Sequence, residues 1–226
     1  MISAERSPAR TAHGGSAAKL MLLRRVGGAV GDDLLAQLQP LLLLHEVLRV
    51  ALARPAPDLA ALRGHAQRIG PAVQCAMNAG TAAAEWLLPQ AGASTPSADL
   101  AAECAALLRP EFELCGLRIE LSSAGKPLPI DRDQARTMIC AVLAHAGDHA
   151  GGPGAMRVRL EHHDGVCAVR VSHRPDAGAV AADFLRPRQA PMAWEDLIAL
   201  AQLEHAALRR ADDGAFVLEL TAARTA

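Results

Sequence analysis

The sequence predicts an α+β fold, an N-terminal antiparallel helical hairpin followed by an α/β layer. Three observations carry this. Residues 17–88 repeat apolar side chains every three or four positions, the period of a helix with one buried stripe. Residues 134–150, QARTMICAVLAHAGDHA, show the same period at Met138, Ile139, Val142, Leu143 and Ala146. Around that helix lie strand-like runs, two of them joined at Asp164 and Gly165, a hairpin turn signal.

Taken in order, residues 1–16 are small and polar with Pro8, Gly14 and Gly15, which predicts a disordered tail. Residues 17–53 predict a long helix with a stripe of Val26, Val30, Leu34, Leu38, Leu41, His45, Leu48 and Leu52. Pro55 and Pro57 break the chain, and Asp58 is placed to cap the next helix. That helix runs to residue 88 on Leu62, Ile69, Val73, Ala76, Gly80, Ala83 and Leu87, with Gly70 and Pro71 a candidate kink. A lone hairpin cannot bury apolar surface on both faces of its first helix. Two hairpins paired in a four-helix bundle can, so a homodimer is expected over residues 17–89.

Residues 90–97, QAGASTPS, read as a linker. From residue 98 to the end a second domain is expected. A helix over 98–115 is followed by a strand over 117–122 and an extended turn at Pro127–Asp131. Asp131 and Gln134 form a capping-box pair at the start of the central helix, and Gly151, Gly152 and Gly154 end it. Strands over 156–162 and 166–173 come next, then an amphipathic helix over 192–209 and a last strand over 215–220.

Composition narrows the function classes. The chain is 51% hydrophobic and only 2% aromatic, so its cores are built of Leu, Val and Ala. A net charge of −1 and a pI near 6.7, with no basic cluster, argue against a nucleic-acid partner. Five scattered cysteines with no CxxC pair suit reduced thiols and a cytoplasmic location rather than disulfides or a zinc knot. No signal-like N-terminus is present, and the longest wholly apolar run, residues 41–44, is too short to span a bilayer. No membrane partner is expected.

The stretch LRIELSSAGKPLPIDRDQARTMICAVLAHAGDHA resembles the ATP-binding domain of two-component sensor histidine kinases, the GHKL or Bergerat fold. In that family a strand and a "p.i.D" turn lead into a helix reading roughly "lLxNLlxNAidHa". The preceding hairpin is similar to the family's dimerisation and phosphoacceptor domain. The resemblance implies an α/β sandwich of GHKL type behind a dimeric four-helix bundle, over about residues 17–220. It also locates the departures. Ala141 and His145 stand where the family has its two asparagines, His173 where an aspartate reads adenine, and Pro175 where the first glycine of that box belongs. Residues 189–200, in the place of the glycine-rich lid, contain no glycine, although close backbone approach to phosphates needs it. At the acceptor position the hairpin offers Asp32, or Leu35 in another alignment, and no histidine. No nucleotide cofactor is expected.

Other chemistry is thinly supported. His45 beside Glu46 mimics an acceptor His-Glu pair, and His65 is a second candidate for phosphate relay. Both lie on apolar stripes, where a packed or interface histidine is the plainer reading. The shape is also similar to histidine phosphotransferases with a degenerate ATP domain, though these keep the acceptor histidine. His145 and His149, four apart on one helix, have metal-binding spacing, with His162, His163 or His173 as further ligands. No decisive carboxylate or cysteine accompanies them, and vestigial rim residues are the plainer reading. Trp86 and Trp194 read as packing residues. No Gly-x-Ser-x-Gly motif supports nucleophilic catalysis. The favoured expectation is a catalytically inactive, dimeric histidine-kinase-like adaptor. It would bind a response regulator or a histidine kinase through Asp32, Asp33, Leu35 and Gln39. Phosphotransfer through His45 or His65 is the alternative, and a metal-responsive regulator a weaker one.

Overall fold

The chain begins as a single helix, α1 (Pro8–Leu52). The computed structural model describes residues 8–88, 90, 92–177 and 190–223. Proline at the first helical position costs nothing, because its missing N–H has no intrahelical partner there. The helix therefore starts well before residue 17, while residues 1–7 of the expected tail lie outside the described residues. The chain divides into two units. One comprises residues 1–26 with 90–226, the other residues 27–89.

In the smaller unit, α1 turns at Pro55 and Pro57 into α2 (Leu59–Leu87). Asp58 caps α2 as expected, accepting from the amides of Ala60 at 2.9 Å and Ala61 at 3.1 Å. The helix runs unbroken through Pro71. The half-buried stripe on α1 is Leu34, Gln37, Leu41, Leu44, Leu48 and Ala51, and on α2 it is Leu62, His65, Ile69, Ala72, Ala79 and Ala83 with the buried Ala76 among them. Both follow the alternating three-four spacing of a helix–helix seam. This corrects the expected stripes, because Leu38, His45, Leu52 and Val73 are exposed. A second apolar strip lies open on α1, where Leu35, Leu42 and Leu43 are 61%, 71% and 67% exposed.

The larger unit is the α/β layer. Its sheet has five strands: β2 (Leu117–Ala124), β4 (Gly154–His163), β5 (Val166–Pro175), β7 (Phe216–Thr221) and β6 (Ala207–Arg210), in that spatial order. β2 runs parallel to β4 and the other neighbours are antiparallel. The β4–β5 turn has Asp164 at φ 47° and Gly165 at φ 75°, the two left-handed residues of a type I′ hairpin. One sheet face packs against α3 (Ser97–Leu114) and α4 (Arg132–Asp148). Leu100, Leu108, Phe112, Met138, Ile139 and Leu143 are fully buried there with Met156 and Leu160 from β4. Gly147 admits the Phe112 ring, since a Cβ on it would lie 2.9 Å from Cζ. The α+β class and the layered arrangement expected from the sequence are what the structure has.

Three local expectations are corrected. The C-terminal part of the linker is a strand, β1 (Ser94–Pro96), paired antiparallel with β3 (Pro129–Asp131). Asp131 does cap α4, accepting from the Gln134 amide at 2.8 Å. The Gln134 side chain, however, leaves the capping box and donates to the Glu204 carbonyl. The helix expected over 192–209 is α5 (Trp194–Leu203) followed by β6. His205 adopts φ 53°, and the Ala206 amide bonds to the Ala201 carbonyl while that of His205 bonds to Gln202. That 6→1 and 5→2 pair is a Schellman stop, reached here without glycine.

The first half of α1 belongs to this unit. Ala18, Leu22 and Val26 are buried. Gly15 lies so close to α5 that a Cβ would meet the Ala199 carbonyl oxygen at 2.7 Å. Lys19 pairs with Glu204 at 2.7 Å. The glycines that suggested disorder allow this approach instead. Among the described residues, Gly14–Leu52 of α1 is long and apolar enough to cross a membrane by length and composition.

Candidate functional site

The resemblance places the nucleotide cleft beside the C-terminal half of α4. Among the described residues, the side chains of α4 at that surface are packed within the chain. The period of α4 turns Ala141 fully inward, where it offers no donor or acceptor. One turn on, His145 is only 4% exposed. Its ring sits between His149, Trp194 and Phe216, with centroids 4.2, 5.8 and 4.9 Å away. Trp194 comes from the start of α5 and Phe216 from the start of β7, so three elements build one aromatic cluster. Edge-on and tilted ring pairs of this kind add to burial. His145 Nδ1 donates to the Met192 carbonyl at 2.7 Å, and His149 Nδ1 donates to the His145 carbonyl at 2.9 Å. Burial holds the His145 pKa below the ordinary histidine value, which its bond to Met192 only partly offsets.

Met192 is held at both ends. Its amide donates to Asp148 Oδ2 at 2.9 Å, the oxygen that also accepts from Arg25 Nη1 at 2.8 Å. Arg25, 6% exposed, grips Glu111 as well, through Nε at 3.0 Å and Nη2 at 2.5 Å. Burial alone would lower the guanidinium pKa, but bonds to Asp148 and Glu111 outweigh it and hold it above its usual value. A chain of contacts thus runs from α1 through Asp148 to the segment lying over His145. Sequence reasoning missed Arg25 and Phe216. The available signal was Arg25 itself, a charge beside Val26 on a stripe otherwise built to be buried.

These residues do not fit a magnesium–nucleotide pair. The first of the two asparagines is a buried alanine, and the second is a histidine packed among rings with its Nδ1 committed. His173, in the adenine-reading position, has its Nε2 buried with no hydrogen-bond partner among the described residues. It points at the Gly154 backbone, where a Cβ would be 2.9 Å away. Pro175 ends β5, and Gly178 and residues 179–189 lie outside the described residues. His145 is therefore a core residue and not a rim residue; His149 alone of the pair is exposed. No group of three or more His, Cys, Asp or Glu side chains among the described residues is arranged to hold a metal ion. His162 is engaged elsewhere, with Nε2 2.7 Å from Ser97 Oγ and Nδ1 donating to the Ala124 carbonyl at 2.7 Å.

In the hairpin unit, Asp32, Asp33, Leu35 and Gln39 are all exposed on α1. His45 is exposed on the open apolar strip, one turn beyond Leu42. His65 lies half-buried on the α2 seam, and Arg68 Nη2 donates to its Nδ1 at 2.6 Å, which leaves the proton of the neutral ring on Nε2. His65 also lines a concavity of about 280 Å³ with Glu46, Arg54 and Asp58. The two histidines do not converge on one site.

No protein-family model matches the sequence, and no curated protein does. Among solved structures the chain is similar to a histidine kinase from Burkholderia phymatum STM815, at 17% identity over 97% of this chain and 100% of the other, with a TM-score of 0.44. It is also similar to the Acinetobacter baumannii histidine kinase AdeS, at 12% identity over 82% of this chain and 96% of that one, with a TM-score of 0.44. The catalytic domain of histidine kinase ThkA aligns with 57% of this chain and 95% of its own length, at 12% identity and a TM-score of 0.42.

Proposed function

We propose that the chain is a catalytically inactive, dimeric protein of histidine-kinase-like architecture. It acts in the cytoplasm by binding a two-component partner, a response regulator or a kinase, through the helical hairpin. The observation that carries this reading is the closed cleft: the His145 ring is packed against Phe216 and Trp194 and bonded to Met192, in the place where the resemblance calls for an asparagine facing metal and phosphate. A scaffold without a nucleotide site has only its surfaces to act with. The exposed leucines Leu38 and Leu42 suit the seam with a second hairpin. Lipid is the poorer cover, because the same helix carries the Arg25 ion pairs and the exposed Glu46–Arg49 pair. Asp32, Asp33, Leu35 and Gln39 form the partner-docking patch, a placement that rests on the resemblance alone.

The test uses the cleft's own reporter. Trp194 is 5.8 Å from His145, and Trp86→Phe leaves it the one tryptophan. Magnesium–ATP added to that variant is expected to leave its fluorescence unchanged. Saturable quenching that His145→Ala alters would establish a working nucleotide site. Incubation with a labelled phospho-receiver tests relay in parallel. Acid-labile label lost in His45→Ala or His65→Ala would replace the adaptor reading with phosphotransfer.

A further inference from the structure

The sheet's second face, away from α3 and α4, is ordered by register into rows of side chains. Ser122 pairs with Arg159 and Arg159 with Arg170, and Arg170 continues through Val217 to Arg209. That row contains three arginines and no carboxylate. The row beside it runs Glu120, Arg157, Ser172. Like charges directly opposite on neighbouring strands repel, so Arg159 facing Arg170 costs stability unless an anion lies between them. Nearby carboxylates serve only in part. Arg159 lies 3.2 Å from Glu161, Arg157 3.2 Å from Glu120 and Arg209 3.6 Å from Glu219, and Arg170 is paired with Asp213. The pairs of Arg159 and Arg157 are exposed on both sides, 62% and 49% for Arg159 and Glu161, while Arg170 is half-buried and its partner Asp213 exposed. Ion pairs that exposed hold their partners weakly, so Arg157 and Arg159 can change partner at little cost.

Of these, Ser122, Arg157, Arg159, Arg170 and Ser172 line a concavity of about 520 Å³, with Glu120 the one carboxylate among its described lining residues. That volume falls in the ~300–1,000 Å³ range of small-ligand sites. A guanidinium fork matches a phosphoryl group with two parallel hydrogen bonds, and the hydroxyls of Ser122 and Ser172 supply neutral donors. We propose that this concavity binds a small multivalent oxyanion of the diphosphate class, with Arg159 and Arg170 sharing its oxygens and Ser122 and Ser172 donating from either side. The phosphoryl groups come from a free diphosphate or from a nucleoside diphosphate. The site is on the opposite face of the sheet from His145 and does not depend on the cleft.

Isothermal titration of the whole chain with sodium pyrophosphate, and separately with ADP, at low salt and without divalent cations, tests this. One saturable site is expected on the wild type. Removing two charge-assisted contacts in R159A/R170A weakens it by about tenfold or more, R159K/R170K falls between, and E120Q tightens it several-fold by removing the carboxylate. Equal affinity for the two probes assigns the phosphoryl groups alone, and tighter ADP binding assigns the nucleoside diphosphate. No saturable heat with either probe on the wild type overturns the proposal. So does binding that R159A/R170A leaves within about twofold while its circular dichroism matches the wild type.

Discussion

Helix α4 and helix α2 have similar apolar periodicity and opposite fates. From Ala135 to Ala146, α4 is buried at every position but Thr137. Among the described residues of α2 only Ala76 is buried, while Met77 stands 61% exposed. The difference lies in what each helix can cover. In α4, the sheet on one side, α3 on another and the start of β7 with α5 on a third leave no face uncovered, so Leu, Ile, Met and Cys go all the way round. In α2, alternating Leu, Ile and Ala make one narrow seam. The lesson is that the α/β unit is complete within a single chain, whereas the hairpin's apolar inventory exceeds what a single chain covers.

The sharpest contrast comes from truncating matched leucines. Leu143→Ala in α4 is expected to cost ~2–5 kcal/mol in urea unfolding, because the side chain is fully buried. Leu42→Ala is expected to cost well under half as much at concentrations where the protein is monomeric. Equal losses would break the contrast. Next in size is Arg25→Ala. It leaves Asp148 and Glu111 without their cation in a site where the arginine is 7% and the aspartate 3% exposed, and losing one partner of such a network costs ~3 kcal/mol. The same variant should raise amide exchange over residues 190–203. A loss confined to α1 would separate that helix from the segment over His145.

A smaller effect is the pH dependence. Burial lowers the pKa of His145 and, also by burial, that of His173 below the unfolded value of 6.5. Below that value the unfolded chain takes up protons that the folded one refuses. The contribution to stability is therefore fully present above pH 6.5 and is lost as pH falls through the lower folded values. Melting temperature should drop between about pH 7 and pH 5, and His145→Gln should flatten that slope. An unchanged slope would mean that His145 is solvated.

How far the sequence foretold this depends on range. The Asp164–Gly165 turn, the Asp58 and Asp131 caps and the period of α4 are local signals, and each was legible. The end of α5 was not, because a left-handed His205 has no distinctive residue to announce it. The Gln134 side chain left its capping box for a carbonyl seventy positions away, which no local reading reaches. The site was legible as a set of substitutions at Ala141, His145 and His173. Its closure was not, because Phe216, Met192 and Arg25 meet His145 and Asp148 only through the fold. On α1, a stripe offset by a single residue moved His45 from seam to surface, since several apolar strips fit the same leucine-rich run.

The most direct test of action through surfaces is the mass of the intact chain in solution. Sedimentation velocity at micromolar concentration should give a dimer. Leu38→Asp with Leu42→Asp should convert it to a monomer whose circular dichroism and cleft fluorescence are unchanged. A wild-type chain that stays monomeric throughout, its apolar strip open to water, would contradict the account.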